Sequence, residues 1–239
     1  MRLARTQLAA TATPHLLTVT SATGDELIAL DKLTPPDKPS WRALIIARRR
    51  QVPAELRSLE ARRLATHAVT AARSVAATAG RVCAYVPFGD EPGSLAMIDA
   101  LRTAGYEVML PVVPTAAPGV PSPAQPMAWA PYLGATSLVA GPFGLRQPAG
   151  PRLGPAAALA TAAVVLVPAL AVDQRGVRLG RGAGWYDRTL PLARPGTPLL
   201  AVVRDEEVVA RLPAQQHDVL MTGVLTPAAG LRTLPTRLD

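Results

Sequence analysis

The run TAAVVLVPAL, residues 161–170, is almost entirely apolar and is rich in β-branched valine. A strand that carries polar side chains on neither face is buried on both faces, which is typical of the centre of a parallel sheet covered by helices. Valine also favours the pleated, close-packed surface of a sheet. This run therefore predicts a central parallel strand and, with it, an α/β fold.

Segments on both sides of this strand alternate between strand and helix patterns. The predicted further strands are RVCAYVPF (81–88, with the strand ending at Pro87), YEVMLPVVP (106–114), PLLAVVR (198–204) and, as a closing edge strand, HDVLMTGVLT (217–226). The predicted helices are WRALIIARRR (41–50), a longer helix from Pro53 to about Ala79, SLAMIDALRTAG (94–105) and the short RTLPLA (188–193). This alternation predicts a single three-layer α/β domain with a mainly parallel sheet flanked by helices.

The first 35 residues differ from the rest of the chain because they show no clear helical period and end in a proline-rich break. We expect residues 1–35 to be a disordered extension and residues 36–239 to form the α/β domain. The chain has no continuous apolar run long enough for a membrane span. The single cysteine, Cys83, lies within an apolar run and is expected to be a small core side chain.

The chain carries 25 Lys and Arg against 17 Asp and Glu, a net charge of +8. A basic chain favours anionic partners such as nucleotides, polyglutamates or nucleic acid. Compositional drift towards arginine is an equally good explanation. Aromatic residues make up only 4% of the chain, which argues against a surface on which nucleic acid bases stack.

The stretch RLGRGAGWYDRTL, residues 178–190, follows the central strand after a short connector. Glycines there would let main-chain N–H groups approach an anion, and the start of the next helix would add positive potential. The spacing matches neither a Walker A loop nor a dinucleotide-binding fingerprint. A tight turn packed by Trp185 and Tyr186 remains the alternative. Three arginines could supplement the positive field: Arg178, Arg181 and Arg188.

Asp187 follows the glycines directly. A carboxylate beside bound phosphate needs a cation between the two, and Mg²⁺ binds through one or two carboxylates plus phosphate oxygens. The alternative for Asp187 is a helix cap or a surface ion pair with Arg188. Asp218 could supply a second carboxylate; the alternative is a loop aspartate beside a turn-forming His217.

Two other groups of charged residues are candidates for a site. Asp90 and Glu91 follow a predicted strand, at the edge where α/β sheets bind ligands, although acids near a helix N-terminus would also explain them. Lys38 and Arg42 lie four residues apart on one side of a helix and could hold a triphosphate, although a solvated basic face would explain them equally well.

Together these stretches resemble the 5-formyltetrahydrofolate cyclo-ligase family. VPALAVDQRGVRLGRGAGWYDRTL, residues 167–190, is similar to the family signature of a strand, a proline, an Asp-containing turn and R-L-G-x-G-x-G-Y-Y-D-R. KPSWR, YVPFGDE, GPFGLRQP and the closing HDVLMTGVLT resemble further family motifs in the same order. The resemblance covers roughly residues 38–226, and one departure is Trp185, where the family usually has tyrosine.

The resemblance implies roles for individual residues. Lys38 and Arg42 match phosphate-contacting positions, whereas Val86 and Glu91 match folate-contacting positions. Asp187 and Asp218 match magnesium ligands. The ATP loop is implied to comprise Gly180, Arg181, Gly182, Ala183, Gly184, Trp185 and Tyr186, with Arg178 beside it and Tyr186 also near the substrate.

The resemblance implies an enzyme that uses ATP and Mg²⁺ to cyclise 5-formyltetrahydrofolate to 5,10-methenyltetrahydrofolate, releasing ADP and phosphate. No side-chain nucleophile is needed, and Arg181 and Tyr186 are the nearest candidates for a direct catalytic role. We expect a cytoplasmic monomer that binds reduced folates, including polyglutamylated forms, without membrane or nucleic acid. The alternatives are a diverged or inactive family member with another substrate, or a basic nucleotide- or RNA-binding module.

Overall fold

The computed structural model describes residues 30, 33–76, 80–117, 120–121, 125–216 and 218–235. Over this part of the chain the α-helices are α1 (Lys38–Gln51), α2 (Ala54–Val75), α3 (Leu95–Thr103), α4 (Pro155–Ala160) and α5 (Trp185–Thr189). The strands are β1 (Arg81–Cys83), β2 (Glu107–Val112), β3 (Thr115–Ala117), β4 (Val120–Pro121), β5 (Ala128–Pro131), β6 (Leu138–Ala140), β7 (Arg146–Pro148), β8 (Ala162–Pro168), β9 (Ala171–Asp173), β10 (Arg178–Leu179), β11 (Leu199–Val202), β12 (Val208–Val209), β13 (Gly223–Thr226) and β14 (Gly230–Thr233).

The central sheet has the strand order β14–β13–β11–β8–β1–β2–β5. The five inner strands run parallel, and the two edge strands pair antiparallel to them. β8 lies at the centre, and its residues 164–167 are fully buried. The predicted fold class, a mainly parallel sheet flanked by helices, is confirmed.

Side chains of the inner strands alternate between two cores, because successive residues of a strand point to opposite faces. Val164 and Leu166 pack in the core covered by α2 and α3. Val165 and Val167 pack in the opposite core, which includes Trp129 and the buried residues of α4. Both faces of the sheet are therefore covered, as the apolar sequence of β8 requires.

A third core cluster joins α1 to the small sheet of order β10–β9–β12. α1 begins after Asp37, whose carboxylate accepts a hydrogen bond of 2.8 Å from the main-chain N–H of Ser40. Trp41 and Ile45 of α1 are buried in this cluster together with Leu30, which is 2% exposed. Of the extension predicted for residues 1–35, only residues 30 and 33–35 fall within the described part of the chain.

Several predicted boundaries are wrong. β1 ends at Cys83 rather than at Pro87, so residues 84–88 are free to line a pocket. The last predicted strand, 217–226, is shortened to β13 and is not at the edge, because β14 pairs outside it; His217 lies outside the described residues. α2 ends at Val75, and the short helix expected at 188–193 begins earlier, at Trp185.

Candidate active site

A pocket of about 940 Å³, mouth included, opens at the carboxyl ends of β1, β2 and β8. This is the edge at which open α/β sheets bind ligands. We call it the apolar pocket, since aromatic, aliphatic and proline side chains form most of its wall. The segments after β1 and β8, the end of β2, the region from Met127 to β7 and the glycine loop all contribute to its wall. The lining residues are Tyr85, Val86, Phe88, Glu91, Pro111, Val113, Met127, Leu145, Arg146, Gln147, Pro168, Ala169, Arg178 and residues 180–187.

A second pocket, of about 930 Å³ with its open side, lies against the same glycine loop. We call it the polar pocket because charged groups dominate its wall. Its lining brings together four cations and two carboxylates from three separate parts of the sequence. The lining residues are Lys38, Arg42, Arg178, Gly180, Gly182, Gly184, Asp187, Arg188, Gln215 and Asp218.

The glycine loop forms a thin partition between the two pockets, since its glycines contribute to both walls. Gly182 has φ +106° and Gly184 has φ +71°, conformations that L side chains rarely adopt. α5 starts directly after Gly184, so the first main-chain N–H groups of this helix lie at the end of the loop. A loop without side chains at these positions lets ligands on both sides approach the backbone closely.

Arginine side chains hold the loop backbone in place. The Nε of Arg42 donates a hydrogen bond of 2.9 Å to the carbonyl oxygen of Gly180. Arg188 donates one of 2.9 Å to the carbonyl oxygen of Ala183, and its Nε is buried without a partner among the described residues. Since these carbonyls accept hydrogen bonds from the arginines, the loop is held from both ends.

The two predicted metal ligands each form an ion pair. Asp218 accepts hydrogen bonds of 2.7 and 2.8 Å from the Nζ of Lys38. Asp187 accepts one from Arg178, whose side chain is only 5% exposed. The alternative of a surface pair between Asp187 and Arg188 is therefore wrong, because Arg188 turns back to the loop carbonyl.

On the apolar side, Arg181 is held by two carboxylates. Its Nε donates to Glu91 at 3.1 Å, and its Nη2 donates to Asp90. Glu91 also accepts a hydrogen bond of 3.1 Å from the main-chain N–H of Phe88. Burial raises the pKa of Glu91 above its usual range, and the Phe88 N–H and Arg181 oppose that shift.

The two aromatic residues of the loop have polar atoms without partners. The Nε1 of Trp185 and the hydroxyl of Tyr186 are both buried and make no hydrogen bond within the described residues. The centre of the Tyr186 ring lies 5.6 Å from the guanidinium carbon of Arg178. The ring centres of Trp185 and Phe143 lie 5.9 Å apart. Burial raises the pKa of Tyr186 well above its usual range, so this hydroxyl is protonated and able to donate to a ligand.

The structure brings every residue to which the family resemblance assigns a role to one or other pocket, whereas the candidate Asp90 lines neither and pairs with Arg181. Lys38, Arg42 and Asp218 line only the polar pocket, whereas Val86 and Glu91 line only the apolar pocket. Arg178, the loop glycines and Asp187 border both, and Arg181, Ala183, Trp185 and Tyr186 face the apolar side.

Met127 and residues 145–147 supply a part of the pocket wall that was not predicted from the sequence. These residues lie in the proline- and glycine-rich region between β2 and α4, where neither helical nor strand periodicity assigns a face. The motif GPFGLRQP was the one signal in this region, since it contains Phe143, Leu145, Arg146 and Gln147.

In the described part of the chain, no three His, Cys, Asp or Glu side chains group closely enough to hold a metal by themselves. In the same residues, none of the helices combines the length and the apolar character needed to cross a membrane.

Comparison with known proteins gives concordant matches. The model of the 5-formyltetrahydrofolate cyclo-ligase family matches residues 35–227. A 5-formyltetrahydrofolate cyclo-ligase of Mycolicibacterium smegmatis is 47% identical over 203 residues, covering 84% of this chain and 100% of the relative. One from Escherichia coli K12 is 28% identical over 148 residues, covering 62% of this chain and 78% of the relative.

Two solved structures share the fold. The NMR structure of Aquifex aeolicus 5,10-methenyltetrahydrofolate synthetase superposes with a TM-score of 0.63 at 23% identity, covering 84% of this chain and 94% of that one. A 5,10-methenyltetrahydrofolate synthetase from Mycoplasma pneumoniae superposes with a TM-score of 0.60 at 16% identity, covering 79% and 97%.

Proposed function

The chain belongs to the 5-formyltetrahydrofolate cyclo-ligase family, and we propose that it catalyses the ATP-dependent cyclisation of 5-formyltetrahydrofolate to 5,10-methenyltetrahydrofolate, releasing ADP and phosphate. The observation that carries this proposal is the pair of unlike pockets that share the glycine loop. A reaction between a polyphosphate and a folate needs one pocket for each reactant, with only a thin partition between them.

We assign the ATP phosphates to the polar pocket. Lys38, Arg42, Arg178 and Arg188 all line it, and two of them pair with carboxylates that a bound metal would compete for. The glycine loop and the start of α5 add main-chain N–H groups, which bind anions well at a helix N-terminus. The unpartnered Nε of Arg188 is one donor that a phosphate oxygen would satisfy.

We assign Mg²⁺ to the same pocket, with Asp187 and Asp218 as its protein ligands. Both carboxylates line the pocket, and Mg²⁺ commonly takes one or two carboxylates together with phosphate oxygens and water. The lack of a third ligand among the described residues fits a metal that arrives with its nucleotide. When bound, Mg²⁺ would neutralise the phosphates and the charge that develops as the γ-phosphoryl group is transferred.

We assign the folate to the apolar pocket, against Val86, Glu91 and Tyr186. The carboxylate of Glu91 can accept hydrogen bonds from pterin N–H groups, and its partner Arg181 lies on the glycine loop. The unpartnered Nε1 of Trp185 and hydroxyl of Tyr186 are donors for the folate carbonyl and formyl oxygens. Replacing the usual tyrosine by Trp185 keeps a large flat wall and exchanges a hydroxyl donor for an indole N–H.

The chemistry asks the protein to position reactants and to neutralise charge. The formyl oxygen forms a bond to the γ-phosphorus while the bond to ADP breaks. N10 then attacks the activated formyl carbon, phosphate departs with the oxygen, and N10 loses its proton. Arg181 and Tyr186 lie on the apolar side of the loop and can orient the formyl group, so no side-chain nucleophile is required.

We further propose that the enzyme works as a cytoplasmic monomer on reduced folates, including polyglutamylated forms, and does not act on nucleic acid. The buried thiol of Cys83, with no second cysteine in the chain, fits a reducing compartment. The scarcity of aromatic residues, 4% of the chain, argues against a stacking surface for bases.

A spectrophotometric assay tests the activity, since methenyltetrahydrofolate absorbs where 5-formyltetrahydrofolate does not. We expect product with ATP and magnesium together and none when ATP is omitted. Product with neither nucleotide dependence nor folate saturation would contradict the proposal.

Glu91→Gln tests the assignment of the pockets. We expect it to raise the KM for folate while the KM for ATP stays unchanged, because Glu91 lines only the apolar pocket. Glu107→Gln is the matched control, because it also removes a carboxylate that pairs with an arginine. Neither Glu107 nor its partner Arg81 lines either pocket. A higher KM for ATP with an unchanged KM for folate would show that the assignment is reversed.

A further inference from the structure

Four charged side chains form a buried cluster beneath the apolar pocket, in a position that the proposed chemistry does not use. We call Arg49, Glu60, Arg204 and Glu207 the buried charge cluster. Arg49 donates to both oxygens of Glu207 at 2.6 and 2.8 Å, and Arg204 donates to Glu60 at 2.9 Å. The Arg204 and Glu207 side chains also approach to 3.8 Å, so the two ion pairs are continuous.

This cluster is costly to bury. The side chains of Arg49, Arg204 and Glu207 are 1%, 2% and 3% exposed, and that of Glu60 is 11% exposed. Transfer of charges out of water is expensive, and a buried ion pair is often no more stabilising than apolar residues of similar volume. Stability alone therefore gives little reason for two arginines and two glutamates at this place in the core.

One further donor on each arginine reaches the wall of the apolar pocket, whereas the Nη1 of Arg49 is buried without a hydrogen-bond partner among the described residues. Arg204 donates a hydrogen bond of 3.3 Å to the main-chain carbonyl of Asp90. Arg49 donates one of 2.7 Å to the main-chain carbonyl of Ala169. Ala169 lines the apolar pocket directly, and Asp90 belongs to the turn whose carboxylates hold Arg181.

We propose that Arg204 and Arg49 are positioning residues for the apolar pocket, each fixing one of its walls through a main-chain carbonyl. Arg204 holds the turn at residues 88–91 in the position where Asp90 and Glu91 both accept hydrogen bonds from Arg181. Arg49 holds the segment after β8 against α1. This inference rests on the assignment of folate to the apolar pocket made under the proposed function.

Arginine is required for this role because its planar guanidinium has five N–H donors in fixed directions. Arg204 uses them to reach Glu60 and the Asp90 carbonyl at the same time, and Arg49 to reach Glu207 and the Ala169 carbonyl. Lysine keeps the charge but offers one compact ammonium group, which cannot serve both partners in the same geometry.

The test compares Arg204→Lys with Glu60→Gln, which both disturb the same buried ion pair. Only the substitution of Arg204 removes the contact with the Asp90 carbonyl. We expect both variants to lower the melting temperature. Arg204→Lys should also raise the KM for folate about fivefold, the change that loss of one hydrogen bond typically brings, with the KM for ATP within about twofold. Glu60→Gln should leave both KM values within about twofold.

All kinetics are measured well below the lowest melting temperature, so that unfolded enzyme does not enter the KM. An unchanged KM for folate in Arg204→Lys would overturn the proposal, as would an equal rise in Glu60→Gln, which would indicate general loosening of the core. If Arg204→Lys does not fold, Arg49→Lys decides by the same criterion, because it loosens the wall at Ala169.

Glu91→Gln, measured alongside, separates this inference from the function on which it rests. If Glu91→Gln raises the KM for folate and neither arginine variant does, the positioning role fails and the folate assignment stands. If Glu91→Gln leaves the KM for folate unchanged, the assignment of the pocket fails, and the positioning role fails with it.

Discussion

Asp187→Asn separates a metal ligand from a structural carboxylate. The substitution keeps the shape of the side chain and removes one negative charge. In the structure the Asp187 side chain is 41% exposed and its partner Arg178 is 5% exposed. An ion pair open to solvent on one side contributes about 1 kcal/mol or less, and asparagine keeps an oxygen that accepts from Arg178. We therefore expect the melting temperature to fall by no more than about 2–4 °C.

Turnover should respond far more strongly than stability. A neutral amide oxygen is a weak ligand for Mg²⁺, so the developing phosphoryl charge loses part of its counter-ion. We expect turnover to fall about a hundredfold, which corresponds to about 2.7 kcal/mol of transition-state stabilisation. Excess magnesium should recover part of this rate, because a weakened site fills at higher concentration.

The assay is turnover across a magnesium titration, with a thermal melt of the same preparations. Glu107→Gln serves as a control for loss of one negative charge far from both pockets. Near-normal turnover of Asp187→Asn at low magnesium would falsify the metal role. A low rate that no magnesium concentration improves would point instead to release of Arg178 from its ion pair.

Three further predictions follow from burial and backbone geometry. Leu30→Ala should lower the free energy of unfolding by roughly 2–5 kcal/mol in denaturant titrations, because Leu30 is 2% exposed in a core cluster. An unchanged free energy of unfolding would show that Leu30 does not pack there in solution. Gly184→Ala should lower the free energy of unfolding by roughly 1–2 kcal/mol, since φ is +71° and the new Cβ would lie 2.6 Å from an Arg188 nitrogen. Titration calorimetry should also show weaker ATP binding, and unaltered binding and stability would contradict the geometry. Burial raises the pKa of Glu91 in the folded protein above its ordinary 4.5. Protonated Glu91 therefore stabilises the folded state, fully below pH 4.5, and this contribution is lost as the pH rises through the raised pKa. The KM for folate should conversely increase as pH falls through that pKa, because neutral Glu91 no longer pairs with Arg181, and Glu91→Gln should flatten the profile.

The sequence alone determined the fold class and pointed to the glycine loop as the candidate site. The apolar run that became β8 could only be buried on both faces, which requires a covered parallel sheet. The glycines before Trp185 predicted a loop whose main chain a ligand could approach closely, and in the structure Gly182 and Gly184 have positive φ. These conclusions could be drawn early because periodicity and glycine content act locally, through each residue's own neighbours.

Only the tertiary structure decided the partners of the charged side chains. Arg48, Arg49 and Arg50 look alike in the sequence, yet Arg49 is 1% exposed and reaches Glu207, 158 residues away in the chain. Asp187 pairs with Arg178 rather than with its neighbour Arg188. The helix phase that turns Arg49 inward depends on how α1 packs against β9 and β10, and an ion pair forms where packing brings opposite charges together. Such contacts join residues far apart in the chain, and no local pattern of residues encodes them.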